Sequence, residues 1–301
     1  MIKTGDIIRI RRQELKFSQE ELAFGLCNHA TLSRIESGNQ DPSRSVFEAI
    51  MQRLGLSRSR YNIFADGKEL NIYNLRYEID CELATFNYHA AKGLLTQLEF
   101  LVTPKDKANW QYVLFIQALM NRERDDYEAE LIAHEQALAI TQPCFFEKEP
   151  ARLLLTLTEC GLLKSMARCL HHLGDTAHAI EIIQKLIVYM EYRFVDPFEM
   201  TTTLIELYEN VSKYKGLSGD YSGSVHDANM GIELCKKYGR LHDLPHLLLN
   251  SGCSRYYQDK ASLVGVSEMK QAYVLFSILE DSRNKHIIEN FFEAEGLALT
   301  K

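Results

Sequence analysis

The sequence predicts an all-α chain: a short amino-terminal helical bundle followed by stacked helical pairs. Three observations carry that reading. Apolar residues recur at three- and four-residue steps along nearly all of the 301 residues, with only 6 Pro and 16 Gly to interrupt them, which is the period of helices burying one face. No segment shows the strict alternation of a half-buried strand. Similar turns return at roughly even intervals beyond about residue 68, as expected of repeated helical hairpins.

The first 65 residues predict five short helices, near 4–15, 18–25, 29–37, 43–54 and 58–64. Ser18 followed by Glu21 forms a capping box at the start of the second. Gly38 closes the third, and Ser43 is the expected cap of the fourth. From about residue 68 the helices lengthen and pair. Asp125-Asp126-Tyr127, Gly174-Asp175-Thr176 and Gly219-Asp220-Tyr221 each lead into an amphipathic helix. Partner helices near 108–121, 151–172 and 199–217 precede these turns. Further pairs are expected at 71–101 and at 243–258 with 265–282, and a last helix at 285–299. One hairpin cannot bury its apolar stripe alone, so neighbours must stack and leave a concave inner face.

Charge divides the chain at the same place. Residues 1–65 hold ten Lys and Arg against seven Asp and Glu, whereas the whole chain carries a net charge of −7. A small basic unit attached to a larger acidic one suggests nucleic-acid contact confined to one end. Residues 1–65 and 66–301 are therefore expected to be separate domains. The 7 cysteines are scattered singly, with no CxxC pair, so reduced thiols are expected rather than a zinc knuckle or disulfide framework. No apolar run is long enough for a membrane span and the amino terminus lacks a signal-peptide layout, so a cytoplasmic protein without membrane contact is expected. His171 and His172 are adjacent, which points them about 100° apart on a helix and disfavours a shared metal. No phosphate-cradling glycine loop, nucleophile elbow or HExxH motif is present, so neither an enzyme nor a cofactor is expected.

The stretch from Phe17 to Gly38 carries the most specific signal. Leu22, Ala23, Leu26, Leu32 and Ile35 give two helices a common apolar seam, and small Ala23 lets them cross closely. This pattern, extended through Ile8–Leu15 and Asp41-Pro42-Ser43, resembles the helix-turn-helix of phage-repressor-like transcription regulators. The resemblance implies that the third helix enters a major groove. Asn28, His29, Ala30, Thr31, Ser33 and Arg34 then reach bases and nearby phosphates. Gln19 stands where a helix amino terminus favours a phosphate, and Asn39 and Arg44 are further phosphate candidates. Glu36 is expected to be structural, paired with an arginine of the first helix.

Taken whole, the chain resembles the RRNPP group of peptide-sensing regulators from Gram-positive bacteria, with PlcR-like and Rgg-like members. The shortened turn with its cysteine and the string Ser33-Arg34-Ile35-Glu36-Ser37-Gly38 carry that likeness. It implies a tetratricopeptide-like (TPR-like) domain that dimerises and binds a short signalling peptide, changing how paired helix-turn-helix units sit on a palindromic site in double-stranded DNA. Asn210 and Asn250 match positions of the group's peptide clamp, since an amide both donates and accepts. Lys164, Arg168, Lys213, Tyr214 and Tyr257 are candidates for an acidic group and for aromatic walls. Two other readings stay open: a repeat protein that binds and modulates another protein, and a regulator with a small-metabolite effector.

Overall fold

The computed structural model describes residues 4–56, 67–85, 87–120, 126–143, 145, 148–193 and 197–299. Among the described residues there are fifteen α-helices, one 3₁₀ turn and no strand. The helices are α1 (Thr4–Glu14), α2 (Gln19–Ala23), α3 (His29–Glu36), α4 (Arg44–Arg53), α5 (Gly67–Ala84), α6 (Tyr88–Leu101), α7 (Lys107–Met120), α8 (Tyr127–Ala139), α9 (Leu157–His172), α10 (Thr176–Arg193), α11 (Pro197–Leu217), α12 (Tyr221–Tyr238), α13 (Leu244–Gln258), α14 (Leu263–Ile278) and α15 (Ser282–Ala294). The helix expected near 58–64 lies outside the described residues. The chain packs as two compact units, Met1–Asp175 with Glu191–Asp196 and Thr176–Met190 with Pro197–Lys301.

In the first unit, α1 to α4 close around Ile8, Phe17, Leu22, Leu32, Ile35, Phe47, Ile50 and Met51, all buried. Each such side chain contributes about 1.5–3 kcal/mol on burial. Ala23 is buried where α2 meets α3, the close crossing its size predicted. The same core includes Leu154, far along the chain. A second core gathers Ile72, Ile79, Leu95, Leu98, Val113 and Ile116 as α5, α6 and α7 pack in succession. Helices α7, α8 and α9 continue the stack, with α7 also touching α9.

Polar contacts join the four-helix bundle to these later helices. Arg53, on α4, donates from Nη2 to Glu159 Oε1 at 3.2 Å and from Nη1 to the carbonyls of Leu22 and Phe24. Thr141 donates to the same Glu159 oxygen, and Gln111 donates to Thr141 Oγ1 at 2.6 Å. Gly25 adopts φ +73° against this segment, where a Cβ would lie 2.7 Å from Thr141 Cα, so only glycine fits the turn. The Phe17 ring carries two guanidinium groups, Arg152 at 4.8 Å and Arg193 at 4.9 Å from its centroid.

The largest boundary difference from expectation is at the start of α9, while the last helix, expected at 285–299, runs Ser282–Ala294. The helix expected from 151 begins at Leu157, after a 3₁₀ turn at Pro150–Arg152 and a buried extended run, Leu153 to Leu155. Thr156 and Glu159 form a capping box that sets the start. Arg193 Nη2 also takes the carbonyls of Ala151 and Leu153, holding that backbone out of the helix. Ser43 occupies the expected cap position of α4, but its hydroxyl faces Ser45 rather than the helix amides.

In the second unit, α11 packs on α12, α12 on α13, α13 on α14 and α14 on α15, while α11 also meets α13. Alternate helices in contact are the signature of stacked hairpins. The turn chemistry repeats too. Asp220 caps α12 through Gly223 N at 2.9 Å, and Asp281 caps α15 through Asn284 N at 3.0 Å. In the first unit Asp126 caps α8 in the same way. Gly219 precedes its aspartate at φ +87°, and Glu280 precedes Asp281 at φ +59°. A left-handed residue followed by Asp thus ends one helix and starts the next.

Candidate nucleic-acid interface and ligand groove

Helix α3 is positioned by local chemistry at both of its faces. Asn28 is its N-cap, and its Oδ1 accepts from Thr31 N at 2.7 Å. The candidate base contact Asn28 therefore spends its carbonyl on the helix and keeps its amide hydrogens free to donate. Leu32 and Ile35 turn inward. His29, Ala30, Ser33, Arg34 and Ser37 share the opposite face at helical spacing; all but half-buried Ser33 are exposed. Among the described residues, neither the Arg34 guanidinium nor the His29 ring has a side-chain partner. Thr31 is half-buried beside them.

A buried ion pair holds this helix on the bundle. Arg12 grips Glu36 bidentately, Nε to Oε1 at 2.6 Å and Nη2 to Oε2 at 2.8 Å, and its Nη1 reaches the Phe17 carbonyl at 2.7 Å. Glu36 is thus structural and paired with an arginine of the first helix, as expected. Gln19 donates from Nε2 to Glu36 Oε2 at 2.7 Å, which ties the amino end of α2 to α3. Asn39 donates to Ser37 Oγ on the exposed surface. Arg44 pairs with Glu48 at 3.0 Å and lies 3.8 Å over the Tyr73 ring, so it is engaged from two sides.

The second unit contains a cavity of about 210 Å³. Lys213, Asn250 and Tyr257 line it, bringing together three of the seven ligand candidates. Tyr214 is buried, Asn210 is half-buried on α11, and neither lines the cavity. Lys164 and Arg168 belong to α9 in the first unit. Asn250 donates from Nδ2 to Glu209 O at 3.0 Å and to Ser212 Oγ at 2.9 Å. Both amide hydrogens are then spent, which leaves Oδ1 to accept from a ligand N–H.

The walls are mostly apolar. Tyr257 stacks on Tyr221 at 5.6 Å and meets Phe291 edge-on at 6.0 Å. Burial pushes the Cys253 thiol up to about 12, so this wall offers no thiolate nucleophile. Tyr221, Phe291, Ile287 and Met269 were missed by sequence reasoning. α15 carries two adjacent stripes, Ile288 with Phe292 and Ile287 with Phe291; only the first pair is fully buried. That doubled stripe was the available signal.

In the first unit, Glu130, His134 and Cys169 bring potential metal-ligand atoms within 4.8 Å of one another. Arg168 already pairs with Glu130, whose other close neighbour is His134 Nε2 at 3.1 Å. Burial raises the Glu130 carboxyl pKa, but hydrogen bonds from His134 and Arg168 outweigh this and hold it below its ordinary range. The group is a charge-compensated core pair, and Arg168 is committed to it.

Residues 8–60 match the family model described as Helix-turn-helix. No curated protein sequence matches the chain. Among solved structures, the chain is similar to Bacillus thuringiensis PlcR in complex with the peptide PapR7 and DNA, with a TM-score of 0.59 at 16% identity over 97% of this chain and 98% of that one. It is also similar to the apo form of the competence regulator ComR from Streptococcus vestibularis, with a TM-score of 0.54 at 15% identity over 98% of each chain. The chain therefore has a helix-turn-helix at its amino end followed by helical repeats, the fold of these solved structures. No described helix is long and apolar enough to cross a membrane.

Proposed function

We propose that the protein is a dimeric, cytoplasmic transcription regulator whose affinity for a palindromic operator is set by a short peptide. Residues 1–65 read DNA through α3, and residues 66–301 hold the peptide and the dimer contacts. The observation that carries the DNA reading is the exposed α3 face, with unpaired Arg34 and His29, braced by the buried Arg12–Glu36 pair. A helix held that rigidly keeps its side chains in register with a major groove. Two copies related by a two-fold axis read two half-sites, hence the palindrome.

The peptide reading is supported by the cavity at Lys213, Asn250 and Tyr257. Apolar and aromatic walls suit hydrophobic side chains, Asn250 Oδ1 accepts from a backbone N–H, and exposed Lys213 attracts a carboxylate. The relatives named above include one solved with peptide and DNA together. The test is calorimetric titration with short synthetic peptides encoded beside the gene. Wild type should bind one of them saturably and change its duplex affinity in response, while Asn250→Ala should weaken peptide binding roughly tenfold. Saturable binding untouched by Asn250→Ala and Lys213→Ala would place the peptide elsewhere.

A further inference from the structure

Arg44 stands outside the α3 face, at the first turn of α4, and its guanidinium is fixed from two directions. Nε donates to Glu48 Oε1 at 3.0 Å, one turn along the same helix. One face lies on the Tyr73 ring of α5, with Cζ 3.8 Å from the centroid, close enough for the ring's negative face to hold a cation. The two terminal nitrogens make no hydrogen bond among the described residues, yet neither is buried. An arginine held through Nε and one face, with its Nη edge open, presents the parallel pair of donors that a phosphate accepts.

We propose, resting on the DNA reading above, that Tyr73 is a positioning residue for this contact: its ring aims the Arg44 guanidinium at a DNA phosphate. The first helix after the helix-turn-helix then takes part in holding the duplex, although none of its residues belongs to the motif. A guanidinium already stacked has less side-chain freedom to lose when it meets the phosphate.

The backbone beneath Arg44 is fixed as well. Its N–H donates to Glu69 Oε1 at 3.2 Å, in place of a side-chain cap from Ser43, and Ser45 donates to Asp106 Oδ2 at 3.3 Å. The first turn of α4 is thereby tied to α5 and to the residue before α7. The adjoining cavity, about 30 Å³, has room for water and for no organic ligand, so the cluster serves the arginine rather than a small molecule. Glu48 and Glu69 place two carboxylates near the guanidinium and oppose an incoming anion. Orientation of the open edge, rather than net charge, must therefore carry the contact, and orientation is what the Tyr73 ring supplies.

The experiment is fluorescence anisotropy of the full chain on several unrelated duplexes across a salt series, with thermal unfolding beside it. Tyr73→Ala, at a solvent-accessible position, should weaken every duplex by the same factor, roughly three- to tenfold. It should also reduce the slope of log affinity against log salt by about one per copy, the loss of one phosphate contact. Tyr73→Phe keeps the ring and should bind as wild type does. Arg44→Gln should reproduce the alanine variant, and the two changes together should cost no more than either alone. Three results would each overturn the proposal while leaving the DNA reading in place: an unchanged slope in Tyr73→Ala, loss of binding in Tyr73→Phe, or tighter binding by Tyr73→Ala, which would mean that the stack withholds Arg44. Wild type that ignores every duplex at low salt overturns both.

Discussion

Arg53 and Glu159 form an ion pair at 3.2 Å with side chains 1% and 0% exposed. They lie 106 residues apart in sequence. The pair sits where α4 of the amino-terminal bundle meets the start of α9; Arg53 also donates to the carbonyls of Leu22 and Phe24, and Glu159 also accepts from Thr156 N and the Thr141 hydroxyl. The bundle is therefore fastened to α7–α9 by chemistry that tolerates little change. Removing one member of a buried pair leaves the other charged and unsatisfied, so Glu159→Gln is expected to lower stability by about 3–5 kcal/mol. Urea unfolding monitored by circular dichroism checks this. A loss within error of zero would mean that water reaches Arg53 and that the join is loose.

The exposed face of α3 gives a contrasting expectation. Arg34→Ala should leave the unfolding midpoint in place and weaken specific duplex binding by about 1–3 kcal/mol, the usual worth of a base-reading side chain. Gln19→Ala differs, because its amide is bonded to Glu36. It should weaken all duplexes alike and lower stability by about 0.5–1.5 kcal/mol. Fluorescence anisotropy on matched and scrambled duplexes separates the two patterns.

Glu280 holds the left-handed turn position that Gly219 and Gly174 fill in earlier repeats. A side chain at φ +59° crowds its own carbonyl, and glycine does not. Glu280→Gly is therefore expected to raise stability by about 0.5–1 kcal/mol, net of the added freedom of the unfolded chain. Loss of stability in thermal or urea unfolding would show that the glutamate makes a contact worth more than the strain.

His246 lies edge-on to Phe276 at 4.8 Å and 3.7 Å from Glu209. Burial lowers its pKa from the ordinary 6.5, with Asp281 and Asp243 opposing the shift and His242 and Lys213 adding to it. Below about pH 6.5 the unfolded chain then binds a proton more readily than the folded one, so stability falls as pH drops from neutrality towards 5. His246→Gln should flatten that slope in urea unfolding at stepped pH. An identical slope in the variant would assign the effect to other groups.

The helix-turn-helix could be read from residues because its determinants are local. Ser18 with Glu21, the Ala23 crossing and the inward Leu32 and Ile35 all fall within twenty residues and all appear in the structure. A pairing of Glu36 with an arginine of the first helix was expected too, and the structure shows that arginine to be Arg12. The Arg53–Glu159 pair was not, because a buried arginine at the end of a helix looks like any charge favouring a carboxyl terminus. The positive φ of Gly25 was compatible with its residue type, yet nothing local named Thr141 as its neighbour. The ligand groove was legible only in part for the same reason: Asn250 was named through the family resemblance and Lys213 through its place near the asparagines, whereas Phe291 reaches the cavity only once α15 has folded back.

DNA recognition by α3 is most directly tested by anisotropy with duplexes selected from the source genome, comparing wild type with a His29→Ala, Arg34→Ala double variant across a salt series. Wild type should bind with log affinity falling linearly against log salt, as counterion release requires. The double variant should bind at least about tenfold more weakly at an unchanged unfolding midpoint. If wild type ignores every duplex at low ionic strength, with peptides present and absent, or if the double variant binds as tightly, then α3 does not read DNA and the chain acts through protein partners instead.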